Sequence, residues 1–462
     1  MNMGIIVGGG PAPGINGVIG AATIEAINNG IDVLGFYDGF SHLAAASFDP
    51  ARHVRKLTIA ETGRIHFEGG SILRTARTNL LNPNKLSESV RVEPDAQKTE
   101  RVFERLRSLD VSLLLTIGGD DTALSARFVT ERAGGTIRVA HVPKTIDNDL
   151  PLSGDVPTFG YTTARSLGTA IVANLMEDAR TTSRWYLVES MGRNAGFLAL
   201  GIGKSVGATL TLIPEEFPDS ITLCDLATVI EGAILKRRVM GKPDGVAVIA
   251  EGLAYKLGDP EELSRVLGRE VPVDAAGHPR LSEVPLAQLL KDEVSKRFKA
   301  RSDSVTVVAH RLGYELRCAR PASYDLGYCR DLGHGGVRLL LDSKHDLPAG
   351  VMVTLQSGNL VPVAFEDMVD PQTNRTRVRM VDVDSYSYRV ARAYMIRLEP
   401  RDLESPTMLQ QLAREAQCSP FEFRQKFECV VRACRRTTGG GPDYEGPVLH
   451  DSFAQPVSAP AR

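Results

Sequence analysis

Gly118-Gly119-Asp120-Asp121-Thr122, followed after a short interval by Pro143-Lys144-Thr145-Ile146-Asp147-Asn148-Asp149, decides how this chain reads. The first stretch follows the apolar run Ser112-Leu113-Leu114-Leu115-Thr116-Ile117 and precedes a helical pattern from Thr122, so its glycines fall where a strand's end meets a helix N-terminus. Backbone N–H groups at such a junction point at an anion. The second stretch follows a strand predicted over Arg138 to Val142 and crowds Asp147, Asn148, Asp149 and the Lys144 ammonium together. That density suits metal, phosphate and proton handling at one place, as in a phosphoryl-transfer centre.

Strand and helix signals alternate outward from these turns. A strand is predicted over Met3 to Val7, a helix over Asn16 to Asn29, a strand over Asp32 to Tyr37 and a helix over Gln97 to Arg107, before the two deciding turns. A second series follows: helix Thr162 to Ala179, strand Trp185 to Glu189, helix Asn194 to Val206, strand Ala208 to Ile213, helix Leu223 to Arg238 and strand Gly245 to Ala250. Alternation of this kind argues for parallel sheets covered on both faces. Strand-like alternation returns over Ala349 to Pro362 and Thr376 to Val383, and helical spacing over Tyr386 to Ile396.

With 462 residues, 43% of them hydrophobic and 24% charged, the chain has the profile of a soluble enzyme-sized protein of two or three domains. A net charge of -2 supplies no global field for nucleic acid or anionic membrane, so any anion must be held locally. No apolar run approaches the roughly 20 residues of a spanning helix, and no signal-like segment opens the chain, so a cytoplasmic location is expected. The cysteines at 224, 318, 329, 418, 429 and 434 form no Cys-x-x-Cys pair and read as reduced thiols.

The turn Gly8-Gly9-Gly10-Pro11-Ala12-Pro13-Gly14 lacks the Lys-Ser or Lys-Thr of a P-loop and does not match Gly-x-Gly-x-x-Gly. With its neighbours it fits another pattern. Gly9 to Asn16, Gly69-Gly70-Ser71 with Thr75-Ala76-Arg77, the Gly118 turn and Pro143 to Asp149 occur in order. So do Glu189-Ser190-Met191-Gly192-Arg193, Pro214-Glu215-Glu216, Ala250-Glu251-Gly252 and Leu312-Gly313-Tyr314-Glu315-Leu316-Arg317. Over most of its length the chain resembles the phosphofructokinase family, and within it the pyrophosphate-dependent branch.

The resemblance implies two doubly wound, Rossmann-like three-layer domains with the active site in the cleft between them. Residues 1–150 would be a phosphoryl-donor α/β domain. Residues 151–400 would be a sugar-phosphate α/β domain, with an insertion near 259–302 and room for the chain to cross back to the first domain. A helical extension over 401–436 and a disordered tail over 437–462 complete the expectation. The implied activity is reversible transfer from pyrophosphate to the 1-hydroxyl of fructose 6-phosphate, giving fructose 1,6-bisphosphate and phosphate, with Mg2+ as cofactor, in glycolysis and gluconeogenesis. A homodimer or homotetramer with shared active sites is implied too.

By motif match, Asp147 is the general base, Asp120 the magnesium ligand, and Asp149 supports either. Lys144 and Thr145 hold the transferring phosphoryl group, Gly10 and Arg77 approach the donor, and Arg184, Arg193 and Arg317 take phosphate oxygens, Arg184 from a second subunit. Tyr314 stands where ATP-using relatives have histidine, Glu251 reads sugar hydroxyls, and Met191 and Gly192 line the sugar pocket. The branch assignment rests on Asp121 and Lys144, positions where ATP-using bacterial relatives usually have glycine, or often have it. A carboxylate about 4 Å from a phosphate charge costs roughly 4 kcal/mol at an effective dielectric of 20, enough to disfavour an ATP α-phosphate. The alternative is that Asp121 and Lys144 simply pair. Val308 replaces a sugar-phosphate arginine of the ATP enzymes, with Arg311 as candidate substitute, and Gly20 replaces an arginine they use for allosteric nucleotide. An ATP-dependent kinase, a kinase of another phosphosugar such as sedoheptulose 7-phosphate, and a silent regulatory subunit are the rival readings.

Overall fold

The computed structural model describes residues 1–82, 91–152, 156–217, 220–257, 264, 268, 284–342 and 348–433. Among these the chain forms two compact units, the first from residues 1–167 and 313–379, the second from residues 168–312 and 380–433. The expected insertion falls largely outside the described residues until 284, and the expected tail over 437–462 falls outside them altogether.

Unit 1 is built on strands β1 (Asn2–Val7), β2 (Asp32–Phe36), β3 (Val54–Leu57), β4 (Val111–Gly118), β5 (Arg138–Thr145) and β6 (Phe159–Gly160), joined late in the chain by further short strands. Of these, Gly350–Met352 pairs in parallel with β5, and Val363–Ala364 extends that edge antiparallel. From that edge the order continues β5-β4-β1-β2-β3, with β6 also on β5. β5, β4, β1 and β2 run parallel, and β3 closes the far edge antiparallel. Strand alternation divides the side chains between two cores. Met3, Ile5, Val7, Leu113, Leu115 and Ile117 pack with helix Ile15–Asn28 and helix Ser323–Leu341. Ile6 and Leu114 pack instead with helices Ala96–Ser108 and Asp120–Ala133. This two-sided burial is why the strands read as continuous apolar runs.

Unit 2 holds a parallel sheet of Val307–Leu312, Trp185–Ser190, Gly245–Ala250 and Leu210–Leu212, in that spatial order. Trp185, Leu187, Leu210, Leu212, Ala247 and Ile249 meet helices Leu223–Val239 and Leu286–Ala300 on one face. The helices Pro400–Glu404, Pro406–Glu415 and Pro420–Ala433 bury Leu403, Leu412, Phe423 and Phe427 in the same core. The α/β class with parallel sheets is as the sequence predicts.

Three local expectations are corrected. The helix predicted from Thr122 begins at Asp120, which places both aspartates in its first turn, where carboxylates are favoured by the N-terminal dipole. β5 does not stop at Val142. It runs through Lys144 and Thr145, held by the pairs Lys144 with Phe159 and Thr145 with Gly160 despite the N–H missing at Pro143. Thr376 to Val383 forms no strand, because its alternate N–H groups go to loops and a side chain: Arg377 to the Met368 carbonyl, Arg379 to that of Asp149, and Val381 to Glu215 Oε1.

Candidate functional site

In unit 1 the chemistry-bearing residues collect at the C-terminal ends of β1, β4 and β5, the edge at which open α/β sheets bind ligands. The turn after β1 lies against the segment Thr75-Ala76-Arg77. Thr75 Oγ1 donates to the Gly9 carbonyl at 2.6 Å, and the Gly9 N–H donates to the Ala76 carbonyl at 2.9 Å. Asn16 fixes the neighbouring Gly69 loop, its Oδ1 accepting the Ile72 N–H at 2.9 Å. Gly118 ends β4 as glycine because a methyl group there would sit 2.3 Å from Thr122 Cβ. Asp120 and Asp121 are exposed on the turn that follows.

Lys144 is buried to 4% exposure at the end of β5, and its Nζ donates to the Gly10 carbonyl. Burial lowers this ammonium to about 8; Arg317 pushes it the same way, while Asp147, Asp120 and Asp149 oppose. The Arg317 guanidinium carbon lies 3.6 Å from where a Cβ on Gly10 would stand, and it stacks over the exposed Tyr314 ring at 5.1 Å. Two cationic groups and three carboxylates thus share one locality with the glycine turn. Beyond Lys144, the Asp147 N–H donates to Thr145 Oγ1 at 3.0 Å, and Thr158 Oγ1 donates to the Thr145 carbonyl at 2.7 Å.

Unit 2 gathers Met191, Gly192, Arg193 and Glu251 at the C-terminal ends of its own strands. Gly192 has φ +134, a conformation strained for any side chain, and its N–H donates to Glu251 Oε1 at 3.3 Å. Arg193 follows it, exposed. Arg311 Nη2 lies 3.3 Å from Glu189 Oε1 and 4.0 Å from Glu251 Oε2. Burial pushes the Glu189 carboxyl up, against the N–H of Ala287 and the charge of Arg311.

Glu215, quoted in the sequence only as part of a motif, has a definite job. Its Oε1 accepts the Gly196 N–H at 2.9 Å and the Val381 N–H at 3.0 Å, which ties down the end of the loop that carries Arg193. Glu216 beside it is buried between Arg397 Nη1 at 2.8 Å and the Tyr388 hydroxyl at 2.6 Å. The pattern of the sequence offered no signal for these partners, of which Val381, Tyr388 and Arg397 lie more than a hundred residues away.

Arg184 stands apart. It precedes the first residue of strand Trp185–Ser190 while Met191 follows the last, so the two lie about 23 Å apart along the strand at roughly 3.3 Å per residue. Its Nε lies 3.8 Å from Asp178 Oδ2.

The sequence matches the phosphofructokinase family over residues 2–340. A pyrophosphate–fructose 6-phosphate 1-phosphotransferase of Thermotoga maritima is 52% identical, covering 92% of this chain and 97% of its own length. One of Naegleria fowleri with the same name is 48% identical, over 93% of this chain and 96% of its own. Among solved structures, a pyrophosphate-dependent phosphofructokinase of Nitrosospira multiformis shares the fold with a TM-score of 0.59 at 16% identity, covering 90% of this chain and 91% of that one. A sheet edge loaded with glycine turns, a buried lysine with an arginine beside it, and aspartates defines a phosphoryl-transfer protein of the α/β class. This chain belongs to the phosphofructokinase family.

Proposed function

We propose that the chain transfers a phosphoryl group from pyrophosphate to the 1-hydroxyl of fructose 6-phosphate, reversibly, releasing phosphate and fructose 1,6-bisphosphate. The observation that carries this reading is Lys144, a buried ammonium beside Arg317 at the glycine turn, facing Asp120, Asp147 and Asp149. The names and near full-length identity of the Thermotoga and Naegleria relatives support it.

Lys144 and Arg317 offset the charge of the donor, and Thr145 and the Gly10 N–H orient it. Asp147 accepts the proton of the sugar 1-hydroxyl as the new O–P bond forms and the bridging O–P bond of pyrophosphate breaks. A loose transition state needs this placement and proton acceptance more than a strong nucleophile. Asp121, exposed in the first helical turn, disfavours a third phosphate with its nucleoside, and so selects pyrophosphate over ATP. In unit 2, Glu251 reads sugar hydroxyls, Met191 and Gly192 line the sugar pocket, and Arg193 takes phosphoryl oxygens.

The donor set fits Mg2+. Among the described residues no three His, Cys, Asp or Glu side chains form a metal cage, and Mg2+ is commonly held by one or two carboxylates plus substrate phosphate oxygens. Asp120 would hold it, with Asp149 in support; when bound, it neutralises charge on the donor oxygens. No helix among the described residues is long and apolar enough to cross a membrane, and we read the enzyme as cytoplasmic and oligomeric.

A coupled assay of purified protein with fructose 6-phosphate, comparing pyrophosphate and ATP at equal Mg2+, tests the reading. Turnover with pyrophosphate and little with ATP is expected, and the reverse preference would overturn it.

A further inference from the structure

The loop that carries Asp147 and Asp149 is held from a distant part of the chain by one side chain. Arg379 Nε donates to the Asn148 carbonyl at 3.1 Å, its Nη2 to Asn148 Oδ1, and its Nη1 to the Val156 carbonyl at 3.0 Å. Its own N–H donates to the Asp149 carbonyl at 2.8 Å. Asn148 Oδ1 also accepts the Thr158 N–H at 2.9 Å. These bonds converge on a residue in an unusual conformation, since Asn148 has φ +60, in the left-handed region. Asn148 lies between the two aspartates, so its backbone angles decide where both carboxylates point. A guanidinium is suited to the task, because its planar fork reaches several acceptors in fixed directions where an ammonium would not.

We propose that Arg379 is a positioning residue for phosphoryl transfer: it locks Asn148 in its left-handed conformation and thereby aims Asp147 at the sugar hydroxyl and keeps Asp149 in its supporting place. This rests on the role given to Asp147 above. A purely structural tie would affect stability, whereas a positioning role acts on kcat, since small misplacement of a catalytic group costs up to about 100-fold in rate.

The test compares Arg379→Ala, Arg379→Lys and Asn148→Gly with the unmodified enzyme, using pyrophosphate and fructose 6-phosphate. Arg379→Ala is expected to lower kcat about 10- to 100-fold with both KM values within about threefold, and millimolar guanidinium should restore part of the loss. Asn148→Gly keeps the left-handed angle available but deletes the Oδ1 acceptor. It should lower kcat in the same direction, and the double variant should fall short of the product of the single effects. A folded Arg379→Ala enzyme with kcat within twofold of normal overturns the proposal, as does a loss that guanidinium leaves untouched. Should Arg379→Ala not fold, normal kcat in both Arg379→Lys and Asn148→Gly overturns it. An unmodified enzyme inactive with pyrophosphate would instead sink the functional reading.

Discussion

On the proposed reading, donor choice turns on single side chains. Asp121 and Lys144 are near neighbours of the glycine turn but differ in environment, the first exposed on a helix turn, the second buried. Replacing Asp121 with Gly removes charge and volume opposing a nucleotide and should raise the ratio of ATP to pyrophosphate specificity constants by on the order of 10-fold or more, as one charge at this range is worth a few kcal/mol. Initial rates with each donor at saturating sugar phosphate measure it; an unchanged ratio would show that Asp121 does not select. Lys144 predicts a pH dependence. Its folded-state pKa is lowered to about 8, chiefly by burial, so the free enzyme loses this positive charge as pH rises through 8. kcat/KM for pyrophosphate, which reports the free enzyme, should therefore fall on the alkaline side near pH 8. A bound polyanion favours the ammonium, so the matching limb in kcat should lie higher. For stability the sign is opposite: the native state releases this proton more readily than the unfolded chain, so the group's contribution rises with pH through that range.

At the scale of elements, the loops that hold the candidate site residues are fixed by a carboxylate and a guanidinium. Glu215 is the clearest case, with one carboxylate oxygen serving the N–H groups of Gly196 and Val381. Glu215→Ala leaves both donors without their acceptor. It should raise the KM for fructose 6-phosphate about 10-fold through the Arg193 loop and destabilise the protein by roughly 1–3 kcal/mol for the stranded groups. Glu215→Gln retains an acceptor oxygen and should recover most of both, as read by steady-state kinetics and thermal melting. Equal kinetics for Ala and Gln would confine Glu215 to a stability role.

For the whole molecule, the position of Arg184 raises the question of assembly. It lies about 23 Å along the strand from Met191, at about 3.3 Å per residue, so on the proposed reading it would serve a site other than the one Met191 would line. Arg184→Ala and Asp147→Ala proteins, each expected to lose about 100-fold or more in kcat, should regain activity when dissociated, mixed and reassembled, because a hybrid contains one site with both residues intact. Verified hybrids without activity would mean that each chain completes its own site.

The alternating apolar runs and glycine turns determined the α/β class, since a strand covered on both faces is built mostly from apolar residues in near-continuous runs. The motifs also made the candidate acids and cations legible, because glycine at Gly118 and Gly192 is demanded locally by close approach and by backbone angle. What no local pattern could express was partnership across sequence. The return of Gly350–Met352 to the edge of β5, the bonds from Arg379 to Asn148 and the Val381 N–H on Glu215 join residues far apart in the chain. Even the continuation of β5 through Lys144 depended on a neighbouring strand rather than on propensity. The sequence alone named the candidate reactive groups; only tertiary structure decided which of them are buried, which are held and in what direction, because burial and hydrogen-bond partners are properties of the packed chain.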